Sequence, residues 1–560
     1  MSVASETTAK PGAGHGPARR WTLPRWLRDP NPILVKELRS MFRTKRFVRF
    51  LYVSTGLVGM LVISLGGGLA ASAFTPAQAG RAVYQTFFSA ALGLLCLVAP
   101  AYAATSLTGE KEAGTYESLI LTGIDPARIV WGKFLASFAV FGLVVVALSP
   151  LVGLAFLFGG ISPGHVVFGF AGLAVVLAPA VALGVAVSAR VRSTRVALLA
   201  ALASFPPASM VGASMLALLG KPAGSAWGLT MEGPFWFAEA LATQFFHPDV
   251  FLLVVLLPLY LSGMSVWFFL ATAIAGVRPA AEDRSTLFKW WTLAALAGLV
   301  AMIAGFTGFA GRADAAEVSV ALTMASLGPI LLFALIFMNE PPLPPREAPS
   351  ERGSRWRRHL RGLFGPGAVP TVRFAALAIA AAAFGGALSA MAGREALFPG
   401  LSEGGRTDIA LVSVGLGNVA VGLFALTFGA YVRVVLRSGM AARILTLVLL
   451  FVLVALPLLV SLVVDPEGLD RMDESLPWGL LVTPIAHLFV GGAVINDSTS
   501  RFHEIAVPLV LYGALALLFW VLLEARVRRV RGVVERQRAL QERRGERRAE
   551  AAEPDAGGEP

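Results

Sequence analysis

The chain has 560 residues, of which 56% are hydrophobic and 15% are charged, and its mean hydropathy is +0.70. Soluble domains carry about a quarter charged residues, so this composition argues against a soluble enzyme or a disordered chain. A disulfide scaffold is excluded because Cys96 is the only cysteine. The apolar runs reach about twenty residues, which is enough to cross a bilayer core of ~30 Å as helices. We therefore predict an all-α, polytopic membrane protein.

A hydropathy window of about 19 residues predicts twelve membrane spans, numbered 1 to 12. They lie near residues 47–73, 83–106, 130–159, 164–189, 196–219, 249–276, 290–310, 318–339, 373–392, 408–432, 444–464 and 504–524. The first thirty residues contain no apolar core and no small-residue cleavage site, so we expect span 1 itself to direct insertion. The segment 477–496 is apolar, but two prolines and His487 interrupt it. We expect this segment to be re-entrant or to lie flat on the membrane.

The net charge of +12 indicates the topology. If both termini are cytoplasmic, the inside segments hold 40 of the 47 Lys and Arg residues and the outside segments hold 7. The acidic residues divide 20 to 15 between the same sides and do not share this bias. Such an excess of basic residues inside is what the positive-inside rule predicts. The sequence therefore favours twelve spans with both termini cytoplasmic.

Four connections are long and recur every six spans, two of them inside and two outside: 107–129, 340–372, 220–248 and 465–503. The external segments 233–241 and 483–491 also resemble each other, because in both a proline opens an apolar turn. These regularities indicate a tandem duplication of a six-span unit, with chance similarity of loop lengths as the alternative. The predicted parts are a cytoplasmic N-terminal segment, two six-span units and a basic cytoplasmic tail, at residues 1–46, 47–276, 277–524 and 525–560.

The spans contain almost no ionisable residue away from their ends, which argues against an ion-coupled carrier but leaves sodium sites built from backbone carbonyls open. Asn418 is the clearest polar side chain deep in a span. It is a candidate for contact with a substrate, although a helix–helix hydrogen bond is the commoner role. The phosphate-cradling pattern G-x-x-x-x-G-K-[ST] and histidines at metal-ligand spacing are absent. We predict no catalytic site, no metal site and an energy source on another chain.

The segment 31–46 reads N-P-I-L-V-K-E-L-R-S-M-F-R-T-K-R. Asn31 suits an N-cap, and Pro32 suits the first helical position. One apolar stripe and a basic remainder predict an amphipathic helix that lies in the headgroup layer ahead of span 1. Its candidate interfacial residues are Leu34, Lys36, Glu37, Leu38, Arg39, Met41 and Phe42. A topology anchor held by its positive charge is a sufficient explanation of this helix.

The segment 108–133 reads T-G-E-K-E-A-G-T-Y-E-S-L-I-L-T-G-I-D-P-A-R-I-V-W-G-K. It places three glutamates on an inside loop, where basic residues prevail elsewhere: Glu110, Glu112 and Glu117. Gly114 is expected to break the local helix, and Thr115 to cap the next turn. Asp125 and Pro126 then begin span 3. The pattern predicts a short acidic and apolar helix at the membrane surface, suited to a soluble partner, with an ordinary solvated loop as the alternative.

Both segments resemble those of type-2 ATP-binding cassette (ABC) permeases, the membrane subunits of a large exporter family. The family loop runs E-[KR]-E-x-G-T-x-E-x-L-L-x-T-P, followed by G-K at the start of span 3, and N-P-[IV]-L-x-K-E-L-R is typical ahead of span 1. The matching loop residues are Glu110, Lys111, Glu112, Gly114, Thr115, Glu117, Leu119, Thr122, Gly132 and Lys133. The chain departs from the pattern at Gly123, where the family usually has proline. Residues 277–560 resemble the family in topology alone.

The resemblance implies that a separate cytoplasmic ATPase, expected to be a homodimer, binds the loop after span 2 and carries the ATP and Mg²⁺. The docking residues that it implies are Glu110, Lys111, Glu112, Gly114, Thr115, Glu117, Leu119 and Leu121. It further implies a bacterial plasma membrane, export of an unidentified substrate and no cofactor on this chain. Either this chain alone or a second permease chain completes the pathway. The basic tail predicts anchoring to anionic lipid rather than binding of nucleic acid.

Three other functions remain open. An ion-coupled secondary transporter would move its substrate without an ATPase. A membrane-embedded transferase acting on lipid-linked substrates would need a carboxylate or histidine near a span end, for which the external candidates are Asp465, Asp497, His503 and Glu504. A scaffold or signal relay that uses an ATPase would show no ATP-dependent flux.

Overall fold

A computed structural model describes residues 31–72, 75–230, 233–279, 282–309, 311–343, 362–397, 404–464, 478–489 and 502–550. The fold is 88% helical, and the described residues contain no strand. Within them, twelve helices are long and apolar enough to cross a membrane. The predicted all-α polytopic architecture with twelve spans is confirmed.

Apart from the end of span 12, which was predicted near residue 524, the spans begin and end close to the predicted positions: Phe47–Leu69, Pro76–Glu112, Pro126–Phe158, Pro163–Arg190, Thr194–Ser214, Pro248–Val277, Thr286–Gly305, Ala316–Phe337, Ala368–Gly393, Thr407–Leu436, Gly439–Val464 and Glu504–Arg544. Several spans begin with a proline at the first helical position and a polar capping residue before it. Ahead of span 3, for example, the Asp125 side chain accepts a hydrogen bond from the Ala127 amide. Four shorter helices are named α1 to α4: Pro32–Phe42, Tyr116–Leu121, Trp236–Gln244 and Trp478–Leu481.

The chain folds as two compact units, Met1–Ala242 and Thr243–Pro560. In the first unit, span 2 lies at the centre and packs most extensively against span 4. Gly184 of span 4 faces the backbone of span 2 at Pro100, where a Cβ atom would clash. Small residues of this kind let membrane helices approach to backbone contact.

Successive loops of the first unit alternate between its two ends. At one end, the end of span 2 meets the start of span 5, where Glu112 binds Thr194. At the other end, the start of span 2 meets the loop after span 3, where Gly160 lies against Ala77. This alternation is what a chain that crosses the membrane with each successive span requires.

In the second unit, span 10 lies at the centre and is the most buried of the twelve. Span 6 belongs to this unit and packs against span 7, where the Trp291 indole donates a hydrogen bond to the Met264 carbonyl at 2.9 Å. Span 9 and span 12 are joined by an ion pair of 3.0 Å between Arg373 and Glu524. The predicted division into two six-span repeats is not tested by these contacts and stays a prediction.

The two segments that resemble each other in sequence, 233–241 and the described part of 483–491, also share a local structure, a turn followed by a short helix. In the first, Phe237 of α3 packs against Gly172 of span 4. In the second, His487, the aligned residue, packs against Gly417 of span 10. A Cβ atom at either glycine would clash with the ring above it. Because spans 4 and 10 are six spans apart, a tandem duplication would produce this correspondence.

The described part of the segment 477–496 contains no span. α4 ends in tight turns, in which the Thr483 amide donates to the Leu480 carbonyl and the Ala486 amide donates to the Thr483 carbonyl. His487 follows and is fully buried. The part of this segment that the structure describes is therefore folded back among the helices of its unit.

The candidates for a transferase site are not brought together in the part of the chain that is described. Asp465, Asp497 and the side chain of His503 lie outside the described residues, and Glu504 is buried at the start of span 12. Span 12 continues into the basic tail, because a single helix runs from Phe502 to Glu550.

We expect thiol labelling to place α2 in the cytoplasm and the end of the helix Thr194–Trp227 outside. Ser118 and Ala226 are exposed at these two places, whereas the native thiol of Cys96 is buried and contributes little background. In intact cells, a membrane-impermeant maleimide should label Ala226→Cys, and it should label Ser118→Cys only after permeabilisation. The reverse labelling pattern would contradict the positive-inside topology.

Candidate functional site

Hydrogen bonds and close packing hold α1 against the start of span 3. The Asn31 side chain accepts a hydrogen bond from the Ile33 amide at 3.0 Å and donates one to the Arg128 carbonyl at 2.6 Å. Ile33, the buried residue of α1, rests on Gly132, where a Cβ atom would stand 2.8 Å from the Ile33 Cβ. A side chain at position 132 would therefore push α1 away from span 3. The N-P-I sequence at 31–33 and the G-K sequence at 132–133 lie far apart in the chain but form a single contact, the joint between α1 and span 3.

Lys133 links α1, span 2 and span 3 through a buried charge cluster. Its ammonium donates to Glu37 Oε1 of α1 at 3.0 Å and to Glu110 Oε1 of span 2 at 3.1 Å. A third hydrogen bond of 2.9 Å reaches the Ser106 carbonyl, so all three ammonium hydrogens are used. The Lys133 side chain is 2% exposed, while those of Glu37 and Glu110 are 29% and 17% exposed. A buried lysine cannot lose its carboxylates at small cost, so this cluster fixes α1 against both spans.

One face of α1 packs against spans 2 and 3. It runs through Ile33, Glu37 and Met41, and the Tyr102 hydroxyl of span 2 lies 2.8 Å from the Met41 sulfur. Phe42, by contrast, is 56% exposed. The remaining members of the predicted set are the half-buried Leu34 and Leu38 and the exposed Lys36 and Arg39. The predicted set does not include Ile33, the residue that touches Gly132 of span 3, and the lipid contacts of the set stay a prediction.

The charged residues at the end of span 2 tie it to the junction between spans 4 and 5. Lys111 donates to the carbonyls of Ser188, Ala189 and Val191 at 2.8 to 2.9 Å. These carbonyls lie at the end of span 4, where a helix leaves its last acceptors unsatisfied. Glu112 accepts hydrogen bonds from the amide and hydroxyl of Thr194 at 2.7 and 2.8 Å, and so caps the start of span 5.

The loop between spans 2 and 3 carries α2 as an exposed helix. Gly114 and Gly123 flank it, and both have a φ of +71°, a backbone conformation that L side chains rarely adopt. Gly123, the departure from the family pattern, thus ends α2 with a left-handed turn. No residue of α2 is buried, Glu117 is exposed, and Leu121 is 85% exposed. α2 presents a surface that is both acidic and apolar.

Tyr116 connects α2 to the end of span 2. The Lys111 ammonium lies 5.5 Å from the centre of its ring, within the range of a cation–π interaction. Burial raises the pKa of Tyr116, and the negative charge of Glu110 raises it further. The phenol is therefore neutral at physiological pH and holds α2 by contact rather than by charge.

The structure separates the predicted docking residues into two groups. Glu110, Lys111 and Glu112 are engaged within the first unit, whereas Glu117 and Leu121 lie exposed on α2. Thr115 directly precedes α2 but its side chain makes no capping hydrogen bond, so the predicted cap is wrong, and Leu119 is half-buried. A docking role for any of them stays a prediction. Sequence reasoning placed Lys133 in the motif but missed its partners, although a lysine inside an apolar run signals that acidic partners lie close by.

Asn418 lies in a buried hydrogen-bond network within the second unit. Its amide nitrogen donates to the Thr323 carbonyl at 2.9 Å and to the Ser326 hydroxyl at 3.1 Å, at the point where span 8 breaks between two helices. Its oxygen lies 2.8 Å from His487 Nε2. Because that oxygen accepts, Nε2 carries the proton of the imidazole. Asn418 thus makes the helix–helix bonds that are its commoner role, and a contact with a substrate stays a prediction.

The second unit contains a buried lysine of its own. Lys289 of span 7 donates to the Gly365 carbonyl at 2.8 Å. Burial raises the pKa of Glu340, beyond the end of span 8, to about 6, and the charge of Lys289 opposes that rise. Residues 344–361 of the loop after span 8 lie outside the described residues. A counterpart of α2 is therefore not described in the second unit.

In a comparison with known protein families, residues 32–234 match the family model described as ABC-2 family transporter protein. The match begins in α1, includes spans 1 to 5 with the loop that carries α2, and covers a little over a third of the chain. No curated protein matches the chain.

We expect Lys133→Met to lower the free energy of unfolding by about 3 kcal/mol, because two partly buried carboxylates lose their shared cation. Thermal unfolding of the purified protein, followed by tryptophan fluorescence, measures the loss. Lys36→Met is the matched control: its side chain is 63% exposed and lies 3.6 Å from Glu110, so the loss should stay below about 1 kcal/mol. Glu110→Gln added to Lys133→Met should restore part of the stability. Equal, small losses for both lysine variants would contradict the role of the cluster.

Proposed function

Because residues 32–234 form a domain of the ABC-2 transporter family, we propose that this multi-pass membrane permease is the membrane subunit of an ATP-driven exporter. A separate cytoplasmic ATPase, working as a pair of subunits, binds ATP and Mg²⁺ and docks on α2. The observation that carries this proposal is the exposure of α2 between two firmly anchored helix ends.

α2 has the properties of a surface that a soluble protein covers. Leaving a leucine such as Leu121 in water forgoes roughly 2 kcal/mol of burial free energy, which a partner with an apolar groove would recover. Glu117, exposed on the same helix, favours a partner with basic residues beside that groove. An anionic lipid surface offers the opposite charge pattern. We infer that the ATPase contributes an apolar groove flanked by Lys or Arg.

The contacts around α2 would carry a push from the ATPase to several spans at once. Lys111 and Glu112 hold the end of span 2 to spans 4 and 5. Lys133 holds the start of span 3 to span 2 and to α1. A displacement of α2 therefore moves α1 and spans 2 to 5 together, not the loop alone. In an exporter, closing of the ATPase pair would use this linkage to tilt the spans toward an outward-open state.

Ion-coupled transport gains no comparable support from the described spans. Asn418, their clearest deep polar side chain, uses its amide nitrogen and its oxygen within the second unit. A coupling ion needs ligands that exchange between the ion and water or other partners. The ATP-driven function accounts for α2, whereas ion coupling leaves α2 unexplained.

The docking role is tested by the double variant Glu117→Arg with Leu121→Asp. Purification of the wild-type chain from its native membranes should yield an ATPase subunit with a phosphate-binding lysine motif, identified by mass spectrometry. The double variant should retain that subunit about tenfold less, the change expected when a docking site loses roughly 1.4 kcal/mol. Membrane insertion should be unchanged, because both side chains are exposed.

The matched control is Glu535→Arg with Leu540→Asp, the same two changes on the exposed tail helix, where Leu540 is 59% exposed. This variant should retain the ATPase fully. Full retention by the α2 variant, or an equal loss in the tail variant, would refute docking at α2.

A further inference from the structure

One side of α1 is covered by neither of the spans that hold this helix. Ile33 and Met41 mark the side that packs against spans 2 and 3. At about 100° per residue, Lys36, Arg39 and Arg43 project from the opposite side, and all three are exposed. They line an open groove of about 710 Å³, and the lining of this groove contains no acidic residue. The uncovered side of α1 is therefore a basic surface.

The positive charges of this groove have little compensation within the protein. Among the described residues, no carboxylate oxygen lies within 4.0 Å of the guanidinium nitrogens of Arg39 or Arg43. The ammonium of Lys36 lies 3.6 Å from Glu110 Oε1, and its side chain is 63% exposed. An exposed pair of this kind contributes little, so Lys36 can turn toward another anion. Three cations within two helical turns match the oxygens of a phosphate group, to which they donate charge-assisted hydrogen bonds.

An apolar strip lies beside the basic groove on α1. Val35, Leu38 and Phe42 follow one another at i, i+3 and i+7, which places them on one side of the helix. Phe42 is 56% exposed, and its ring packs edge-on against Phe47 at the start of span 1, with 5.6 Å between the ring centres. Tyr52, further along span 1, is 74% exposed. The apolar strip of α1 therefore continues into the exposed surface of a span.

Both surfaces lie at the boundary between membrane and water. α1 directly precedes span 1, and Lys133 holds it against the ends of spans 2 and 3. These three spans are long enough to cross a bilayer, so the ends that meet α1 lie near the headgroups. A helix with an apolar strip beside a basic one places the strip toward the acyl chains and the cations at the phosphates. An acidic soluble protein would match the cations but would leave the apolar strip unexplained.

We propose that this groove binds the headgroup of an anionic phospholipid, of the phosphatidylglycerol class. The phosphate contacts Lys36, Arg39 and Arg43, and the acyl chains lie along Phe42 and span 1. A zwitterionic headgroup fits less well, because its own ammonium would lie among three cations that repel it. The site does not depend on the identity of the exported substrate or on the docking of an ATPase.

The test uses the delipidated full-length chain in an uncharged detergent. The chain is titrated with phosphatidylglycerol, with phosphatidylcholine and with glycerophosphoglycerol, which is the same headgroup without acyl chains. Native mass spectrometry measures the fraction of chains with a bound ligand. Phosphatidylglycerol should bind about tenfold more tightly than phosphatidylcholine, because it alone brings a net negative charge to the groove. Glycerophosphoglycerol should bind far more weakly than phosphatidylglycerol, because it buries no hydrocarbon.

Arg39→Gln with Arg43→Gln should lower the affinity for phosphatidylglycerol about tenfold, to the level of phosphatidylcholine. Thermal unfolding of this variant should be unchanged, because both side chains are exposed. The matched control is Arg536→Gln with Arg543→Gln, which removes the same charge from exposed positions of the tail helix and should keep the preference. Phe42→Gln should weaken both lipids while the preference for phosphatidylglycerol persists.

Equal binding of the two lipids to the wild-type chain would overturn the proposal and would favour an acidic protein as the occupant of the groove. A preference that persists in the Arg39 and Arg43 variant, or an equal loss in the tail variant, would overturn it as well. Glycerophosphoglycerol that binds as tightly as phosphatidylglycerol would exclude a lipid as the source of the phosphate. If the double variant fails to fold, Arg43→Gln alone, at the C-cap of α1, should lower the affinity for phosphatidylglycerol about threefold. An unchanged affinity in that single variant would contradict the site.

Discussion

One buried positive charge, that of Lys133, determines how this end of the first unit is built. Removing an ammonium from water costs several kcal/mol, and only close, well-directed acceptors offset that cost. Here the acceptors come from two other elements: Glu37 from α1 and Glu110 from span 2. The N-terminal segment and the loop after span 2 must therefore fold onto span 3 together. The missing side chain at Gly132, which lets Ile33 approach, has the same consequence.

Around Lys133, some polar side chains of the loop region hold helix ends in place, and others are exposed on α2 and available to a partner. Lys111 and Glu112 satisfy the ends of spans 4 and 5, so the loop leaves span 2 at a fixed place. Two left-handed glycines then project α2 with its apolar and acidic surface uncovered.

Much of the fold follows from the sequence, because span length, proline at helix starts and the bias of basic residues are local properties. The twelve spans, the cap at Asp125 and the exposed α2 could be predicted in this way. The direction in which a charged side chain points could not be predicted in this way. Glu110 and Glu117 belong to the same acidic segment of the sequence, yet Glu110 faces inward and binds Lys133, whereas Glu117 is exposed. The hydrogen bond between Asn418 and His487 could not be predicted either. His487 lies far from Asn418 in the sequence, and its turn reaches span 10 only in the folded unit.

The joint itself is tested most directly by a distance measured across it. The separation of the two helices can be measured by pulsed electron paramagnetic resonance between spin labels at Arg39→Cys on α1 and Ser118→Cys on α2. Cys96→Ser removes the native thiol. A single narrow distance distribution is expected with Lys133 in place, and a broader one with Lys133→Met, because α1 then loses its charged link to the loop. An equally narrow distribution in the Lys133→Met chain would show that the two helices are held together without that lysine.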